Sequence, residues 1–242
     1  MTKKKKSKVK KCQQGQFEIE YYNPNAENVD LLICSPLRLG EKINSICKPV
    51  LLAQKNIKFV WTSFASKGNA SYNRMKCYNR TKQQYPDHSF KYVIFIDRDI
   101  LWVYEKALNE MLTTLENSGP EIAFSYCSFK YIGDIQHSFY ADEFNLRRLL
   151  QNGNYISTMS MIKISAFNQI GGFDVSLKRF QDWDLWIRFG LNFFEGLPVN
   201  PGFCFFHAIT DFKRSISSKP ITSKDLKFLE KYRKQYSKLG QL

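Results

Sequence analysis

Five apolar or aromatic residues in a row, Tyr92-Val93-Ile94-Phe95-Ile96, run directly into Asp97-Arg98-Asp99. So bulky and β-branched a run reads as a strand buried on both faces, the mark of a parallel sheet in an α/β protein. Two carboxylates one residue apart then stand at the strand's carboxyl end, where open α/β sheets bind ligands. In the turn after a strand, both can lean towards one point. Held together in a poorly hydrated crevice they repel unless a cation sits between them. Mg²⁺ or Mn²⁺, bound by a few carboxylates plus substrate phosphates, is the natural occupant. The plainer alternative is a strand followed by a solvated acidic turn, and D-x-D alone does not decide between them.

The strands on either side fix the fold class. Val29–Cys34 reads as a short buried strand, with Pro36 and Gly40 punctuating a loop after it. Ile43, Ile46, Val50 and Leu51 then recur at helical spacing, in a helix that Pro49 must kink or divide. Ile57–Thr62 is a second strand, and a glycine-bearing loop from Ser66 to Ser71 leads into a helix over Tyr72–Gln84. Strand, helix, strand, helix, strand predicts right-handed crossovers and a largely parallel sheet. Beyond Asp99 the pattern predicts a helix over Val103–Leu115, a strand over Glu121–Ser128, and a short helix at Glu143–Leu150. A sheet-edge strand near Tyr155–Ile164, a helix opening at Gln181 and a last strand over Gly202–Phe206, ending in His207, complete the body. Phe17–Asn28 carries no readable pattern.

With 242 residues and 43% hydrophobic content, the chain suits one packed domain with extensions. No run of about 18 apolar residues is present to span a membrane, and the basic start lacks the apolar region of a signal peptide. Six cysteines, Cys12, Cys34, Cys47, Cys77, Cys127 and Cys204, are scattered without paired spacing. They read as reduced thiols of a cytoplasmic protein, so sequons at Asn69 and Asn79 carry little weight.

The formal charge of +14 is unevenly placed. Residues 1–11 hold seven lysines and no acid, and residues 213–242 hold nine basic side chains against Asp225 and Glu230, while residues 12–212 are neutral overall. A groove-lining nucleic-acid binder would carry its charge on the folded body, so no specific nucleic-acid partner is expected. Basic ends suit contact with an anionic membrane surface or polyanion, or simply solvated tails. The chain divides into a polybasic, disordered tail (1–16), a folded domain (17–214) and a basic amphipathic helix (215–242). In that helix Thr222 and Asp225 have capping-box spacing, and Leu226, Leu229, Tyr232 and Tyr236 form an apolar stripe.

A second stretch carrying chemistry is Gly171-Gly172-Phe173-Asp174 followed by Gln181-Asp182-Trp183-Asp184-Leu185-Trp186-Ile187-Arg188. Paired glycines mark a tight turn. Asp182 and Asp184, two apart on a helix, point in different directions, so one can face the cleft while the other braces the structure. Two acids favoured by the helix dipole is the competing explanation.

Taken together, Val29–Arg38, Lys67-Gly68-x-Ala70-x-x-Asn73-Arg74, Phe95-Ile96-Asp97-Arg98-Asp99, Asn154–Phe173 and Gln181–Arg188 occur in the order seen in family 2 glycosyltransferases. The resemblance covers about residues 29–214. It implies a single GT-A, Rossmann-like domain with a mostly parallel mixed sheet flanked by helices. It also implies hexosyl transfer from a nucleotide-sugar donor, a UDP-sugar foremost, to a carbohydrate, lipid or protein acceptor. By that resemblance Asp97 contacts the donor's ribose or metal and Asp99 ligates a divalent Mn²⁺ or Mg²⁺, with His207 completing the metal site. Asp182 takes the place of the general base. Pro36, Arg38, Asn73 and Arg74 border the nucleotide, and Lys213 and Arg214 neutralise the departing diphosphate. Such roles match the chemistry: a weakly nucleophilic alcohol needs a base, and a diphosphate leaving group needs cations. One base opposite the leaving group gives inversion.

Two departures stand out. Gln181 replaces the glutamate of the family's Glu-Asp pair, and Trp61-Thr62-Ser63-Phe64 lacks the acid that usually reads the base after the second strand. Trp61 or Phe64 could stack on a base, although core packing is the commoner use of such residues. These departures keep open a catalytically degenerate sugar-nucleotide binder, and the basic ends keep open a membrane or polyanion adaptor. Nucleotidyltransferases also pair acids around Mg²⁺, but do not predict the Gly171–Arg188 segment.

Overall fold

The computed structural model describes residues 15–22, 29–211, 221–223 and 225–239. The polybasic residues 1–14, and Lys213 and Arg214, lie outside that set. Among the described residues there are nine strands: β1 (Gln16–Tyr21), β2 (Leu31–Arg38), β3 (Phe59–Ser66), β4 (Tyr92–Phe95), β5 (Ile100–Trp102), β6 (Ile122–Gly133), β7 (His137–Phe139), β8 (Met161–Lys163) and β9 (Glu195–Thr210). They join one sheet in the order β1-β3-β2-β4-β8-β6-β9-β5, with β7 paired to β6. The strands β3, β2 and β4 run parallel, as the crossovers require. β8 is antiparallel to both β4 and β6, so β6 runs the same way as β4, and β9 lies parallel to β6. The carboxyl ends of β2, β3, β4, β6 and β9 therefore share one rim.

Among the described residues seven helices accompany the sheet: α1 (Cys47–Leu52), α2 (Ala70–Gln84), α3 (Ala107–Glu116), α4 (Leu146–Gln151), α5 (Ile164–Gln169), α6 (Gln181–Leu191) and α7 (Lys227–Lys238). Strand alternation splits the core in two. Leu31, Ile33 and Ile94 face the layer of α1 and α3 with Leu51, Met111 and Trp102. Leu32, Cys34, Val93 and Phe95 face α2, α5 and α6 with Cys77, Phe167 and Trp186.

Several expectations are corrected. Pro36 lies inside β2, where it is opposite Phe64 of β3, while pairing to β4 has already stopped at Cys34. A missing N–H is harmless on that unpaired side. Pro49 does not kink a long helix. It sits in the first turn of the six-residue α1, where no intrahelical donor is needed. The strand expected at the sheet edge near residues 155–164 shortens to Met161–Lys163 and lies mid-sheet, antiparallel to both neighbours. The last strand is far longer than Gly202–Phe206. β9 starts at Glu195 and absorbs Pro198, Asn200, Pro201 and Gly202 in an irregular stretch where its register against β6 jumps from Val199 to Cys204. His207 is thus inside β9, not after it. The unread segment 17–28 contributes β1, an antiparallel edge strand on β3.

The apolar stripe of α7 packs on the protein's own domain. Leu229, Tyr232 and Tyr236 are buried against α4 and α6. Thr222 and Asp225 form the reciprocal bonds of a capping box, the Thr222 N–H donating to Asp225 Oδ2 at 2.9 Å. Regular helix begins just after, at Lys227.

Candidate active site

The shared rim opens into a cleft of about 730 Å³ lined by Pro36, Arg38, Asn73, Arg74, Asp97, Asp99 and Asp182, among others. Residues far apart in sequence converge because β2, β4, α2 and α6 all end or begin there.

Asn73 and Arg74 lie on the first turns of α2, which starts from an Asn69 cap accepting the Tyr72 N–H at 2.8 Å. Asn73 is buried and acts as a staple: its Nδ2 donates to Leu37 O at 2.6 Å, and Ser66 Oγ donates to its Oδ1 at 2.5 Å. It ties the carboxyl ends of β2 and β3 together beside Pro36 and Arg38. Arg74 is the hub. Its Nη2 donates to Asp97 Oδ1 at 2.8 Å and its Nη1 to Gln181 Oε1 at 2.9 Å, with only 6% of the side chain exposed. The guanidinium lies over Phe173, 5.3 Å from the ring centroid. Its Nε is buried without a partner.

The glycine pair explains how Phe173 gets beneath Arg74. Gly171 (φ +80°) and Gly172 (φ +69°) take successive left-handed conformations, which side chains resist. Arg188 fastens this turn to α6, donating to Ile170 O at 2.9 Å and to Gly172 O at 2.6 Å. Arg188 also pairs with buried Asp184, which accepts the Tyr232 O–H at 2.6 Å. Asp184 is therefore the bracing acid. Asp182, on the other side of the helix start, lines the cleft and accepts from Asn154 Nδ2 at 3.0 Å. Burial raises the pKa of Asp182, and the Arg74 charge opposes that rise.

Asp97 and Asp99 sit in the turn between β4 and β5. Asp99 is pushed up to about 6, mainly by burial and then by the negative charge of Asp97. The cation beside Asp97 is Arg74. Arg98 turns away, its Nε donating to Lys42 O at 3.2 Å and its Nη1 reaching Glu41 at 3.4 Å.

His207 does not join them. On β9 it is opposite Leu101 and Lys130, and it is not among the residues that line the cleft, although its neighbours Phe206 and Ala208 are. Burial and Lys130 lower its pKa. Among the described residues no group of three His, Cys, Asp or Glu could hold a metal. The expected Asp97–Asp99–His207 set is therefore not assembled. What remains is two carboxylates, a donor set that fits Mg²⁺ or Mn²⁺ only with ligand oxygens completing the shell.

Trp61 and Phe64 are not available to a base. Both are buried, and Trp61 Nε1 donates to Ser35 Oγ at 3.0 Å. Sequence reasoning missed the site roles of Glu41, Asn154 and the aromatic residues Phe129, Tyr131 and Phe139, all of which line the cleft. Only the cluster of aromatics in 124–144 hinted at the last group.

No family description and no curated protein sequence matches the chain. Solved structures do. It is similar to Staphylococcus aureus TarS 1-349 in complex with UDP-GlcNAc, with TM-score 0.60 and 13% identity over 85% of this chain and 66% of that one. The same TarS fragment in complex with UDP gives TM-score 0.53 and 12% identity, covering 76% and 61%. TarS itself gives TM-score 0.51 and 13% identity, covering 76% of this chain and 37% of that one. The chain thus spans less than two thirds of the length of those structures. At such identity the likeness is one of fold: a single mixed α/β domain similar to GT-A structures.

Proposed function

We propose that this protein is a glycosyltransferase that moves a sugar from a nucleoside diphosphate donor, UDP-linked, to an acceptor hydroxyl with inversion. The observation that carries the reading is the convergence of Asp97, Asp99 and Asp182 on one cleft, with buried Arg74 anchored to Asp97. TarS, similar in fold, is described in complex with UDP and with UDP-GlcNAc.

In this reading the nucleotide lies along the ends of β2 and β3, against Pro36 and Arg38, with Asn73 keeping those ends in register. Asp182 accepts the proton of the acceptor hydroxyl as its oxygen bonds to the anomeric carbon. The bond from that carbon to the diphosphate oxygen breaks on the opposite face, which inverts the centre. A base raised by burial is better matched to this task than an ordinary aspartate. Asn154 fixes the carboxylate's orientation. Asp99, with Asp97, would hold a divalent cation together with diphosphate oxygens; when bound, such an ion offsets the charge growing on the leaving group. Lys213 and Arg214 are assigned the same electrostatic role. Among the described residues no helix is long and apolar enough to cross a membrane. We assign the protein to the cytoplasm, where its reduced cysteines belong, with contact to an anionic membrane face through its basic ends. On α7, Lys227, Lys231, Lys234 and Lys238 are exposed at helical spacing.

The test is release of UDP from a panel of UDP-sugars with and without Mn²⁺, together with thermal shifts by the same ligands. Sugar-dependent UDP release that disappears in Asp182→Asn is the expected result. Ligand-induced stabilisation without turnover under broad acceptor screening would replace the transferase by the degenerate binder.

A further inference from the structure

The cleft has an aromatic side formed by residues to which no role has yet been given. Phe129, Tyr131 and Phe139 come from the carboxyl end of β6 and its partner β7. Phe139, Phe129 and Phe206 stack nearly parallel, with centroids 4.6 and 5.2 Å apart and interplanar angles of 9° and 4°. Tyr131 stands edge-on to Phe139 at 5.1 Å. Such a stack, rooted in buried Phe206, is rigid. Tyr131 and Phe139 remain half-exposed at the surface of the cleft.

Three observations locate this wall on the acceptor side. The proposed nucleotide site is at β2 and β3, whereas the wall is on β6, across the Asp97–Asp99 turn in the strand order. Tyr131 and Phe139 line the same cleft as Asp182. Polar side chains, Asn154, Ser157 and Thr158 among them, also line the cleft, and Asn154 is bonded to Asp182. A lipid chain needs apolar contact all round, and an extended peptide needs an open strand edge. An aromatic wall in a cleft that also carries hydroxyls and amides suits a ligand with apolar C–H faces and a polar rim.

Resting on the transferase reading above, we propose that this wall is the acceptor subsite and that the acceptor is a saccharide. Its ring packs C–H groups against Tyr131 and Phe139, and one rim hydroxyl is presented to Asp182.

The experiment is saturation-transfer NMR on the full chain, with and without UDP. The ligands are methyl β-pyranosides of glucose, galactose and N-acetylglucosamine, their disaccharides, a short-chain prenyl phosphate and a serine peptide. Saccharide binding that weakens at least tenfold in Tyr131→Ala and in Phe139→Leu, but is kept in Tyr131→Phe, is the expected result. Melting curves identify any variant that fails to fold, and the volume-conserving Phe139→Leu keeps the question answerable. Saccharide binding indifferent to both variants overturns the proposal, as does binding of only the prenyl phosphate or peptide. Weakened UDP-sugar binding with saccharide binding intact would hand the wall to the donor and also overturn it. Failure of UDP itself to bind sinks the nucleotide-sugar reading instead, and the saccharide arms without UDP still decide this one.

Discussion

Asp99 should make the protein less stable than it could be, and Asp99→Asn measures by how much. Burial and the charge of Asp97 push Asp99 from the ordinary aspartate value of 3.8 up to about 6; that gap corresponds to about 3 kcal/mol of unfavourable ionisation in the folded state. Its direction follows from proton counting. Between the two values the native protein holds a proton that the unfolded chain has released, so stability is fully present below 3.8 and falls as pH rises through about 6. Asparagine carries no such penalty. With metal chelated, Asp99→Asn should match the wild type near pH 4 and exceed it at pH 7.5. Partial exposure of the group reduces the gain to about 2–3 kcal/mol, or about 4–12 °C in Tm for a domain of this size. Paired urea or thermal melts across this range give the difference directly, and titrations common to both proteins cancel. The same variant should lose the stabilisation by Mn²⁺ plus UDP that the wild type shows. An offset independent of pH, or a destabilised variant at pH 7.5, would refute the charge-repulsion argument.

Other perturbations separate binding, chemistry and architecture. Asp182→Asn should keep UDP-sugar affinity and lose about 10²–10⁴-fold in transfer rate, the range of a general base; donor titration beside a transfer assay checks both. Tyr232→Phe removes a donor to the buried Asp184 carboxylate and should lower stability by about 1.5–3 kcal/mol with turnover little changed, read by urea denaturation and a transfer assay. Gly172→Ala must adopt φ +69° and bring a Cβ to 2.8 Å from the Met75 side chain. About 1–3 kcal/mol of destabilisation is expected, with weaker donor binding as Phe173 shifts under Arg74.

The elements that frame the cleft were readable because each is a local pattern. The Tyr92–Ile96 run, the helix read over Tyr72–Gln84 (Ala70–Gln84 in the structure) and the opening of α6 at Gln181 all appear close to where local pattern puts them. β9 was the largest miss, and for a physical reason. Pro198, Asn200, Pro201 and Gly202 carry turn chemistry, and they are tolerated in a strand only because the pairing with β6 slips there. That slip depends on a partner some 70 residues earlier in the chain, beyond any window. Mistaking the length of β9 also moved His207. A residue placed after a strand is free to turn into the cleft, whereas one inside it has its face fixed by its neighbours.

The wiring of the site was hidden in the same way, although its members were not. Asp97 was expected to need a cation, and the nearest proves to be an arginine from α2, 23 residues away in sequence. Arg74 then accounts for the odd Gln181. The Gln181 amide is oriented at both ends, accepting from Arg74 through Oε1 and donating to Leu177 O through Nε2 at 3.0 Å. A glutamate here would place a full negative charge against the guanidinium that now compensates Asp97 and lowers the pKa of Asp182. A neutral amide positions the arginine without claiming its charge. Asp97 remains paired and Asp182 is only partly eased towards ionisation, so Asp99 is left as the cleft acid with an unmet demand for positive charge.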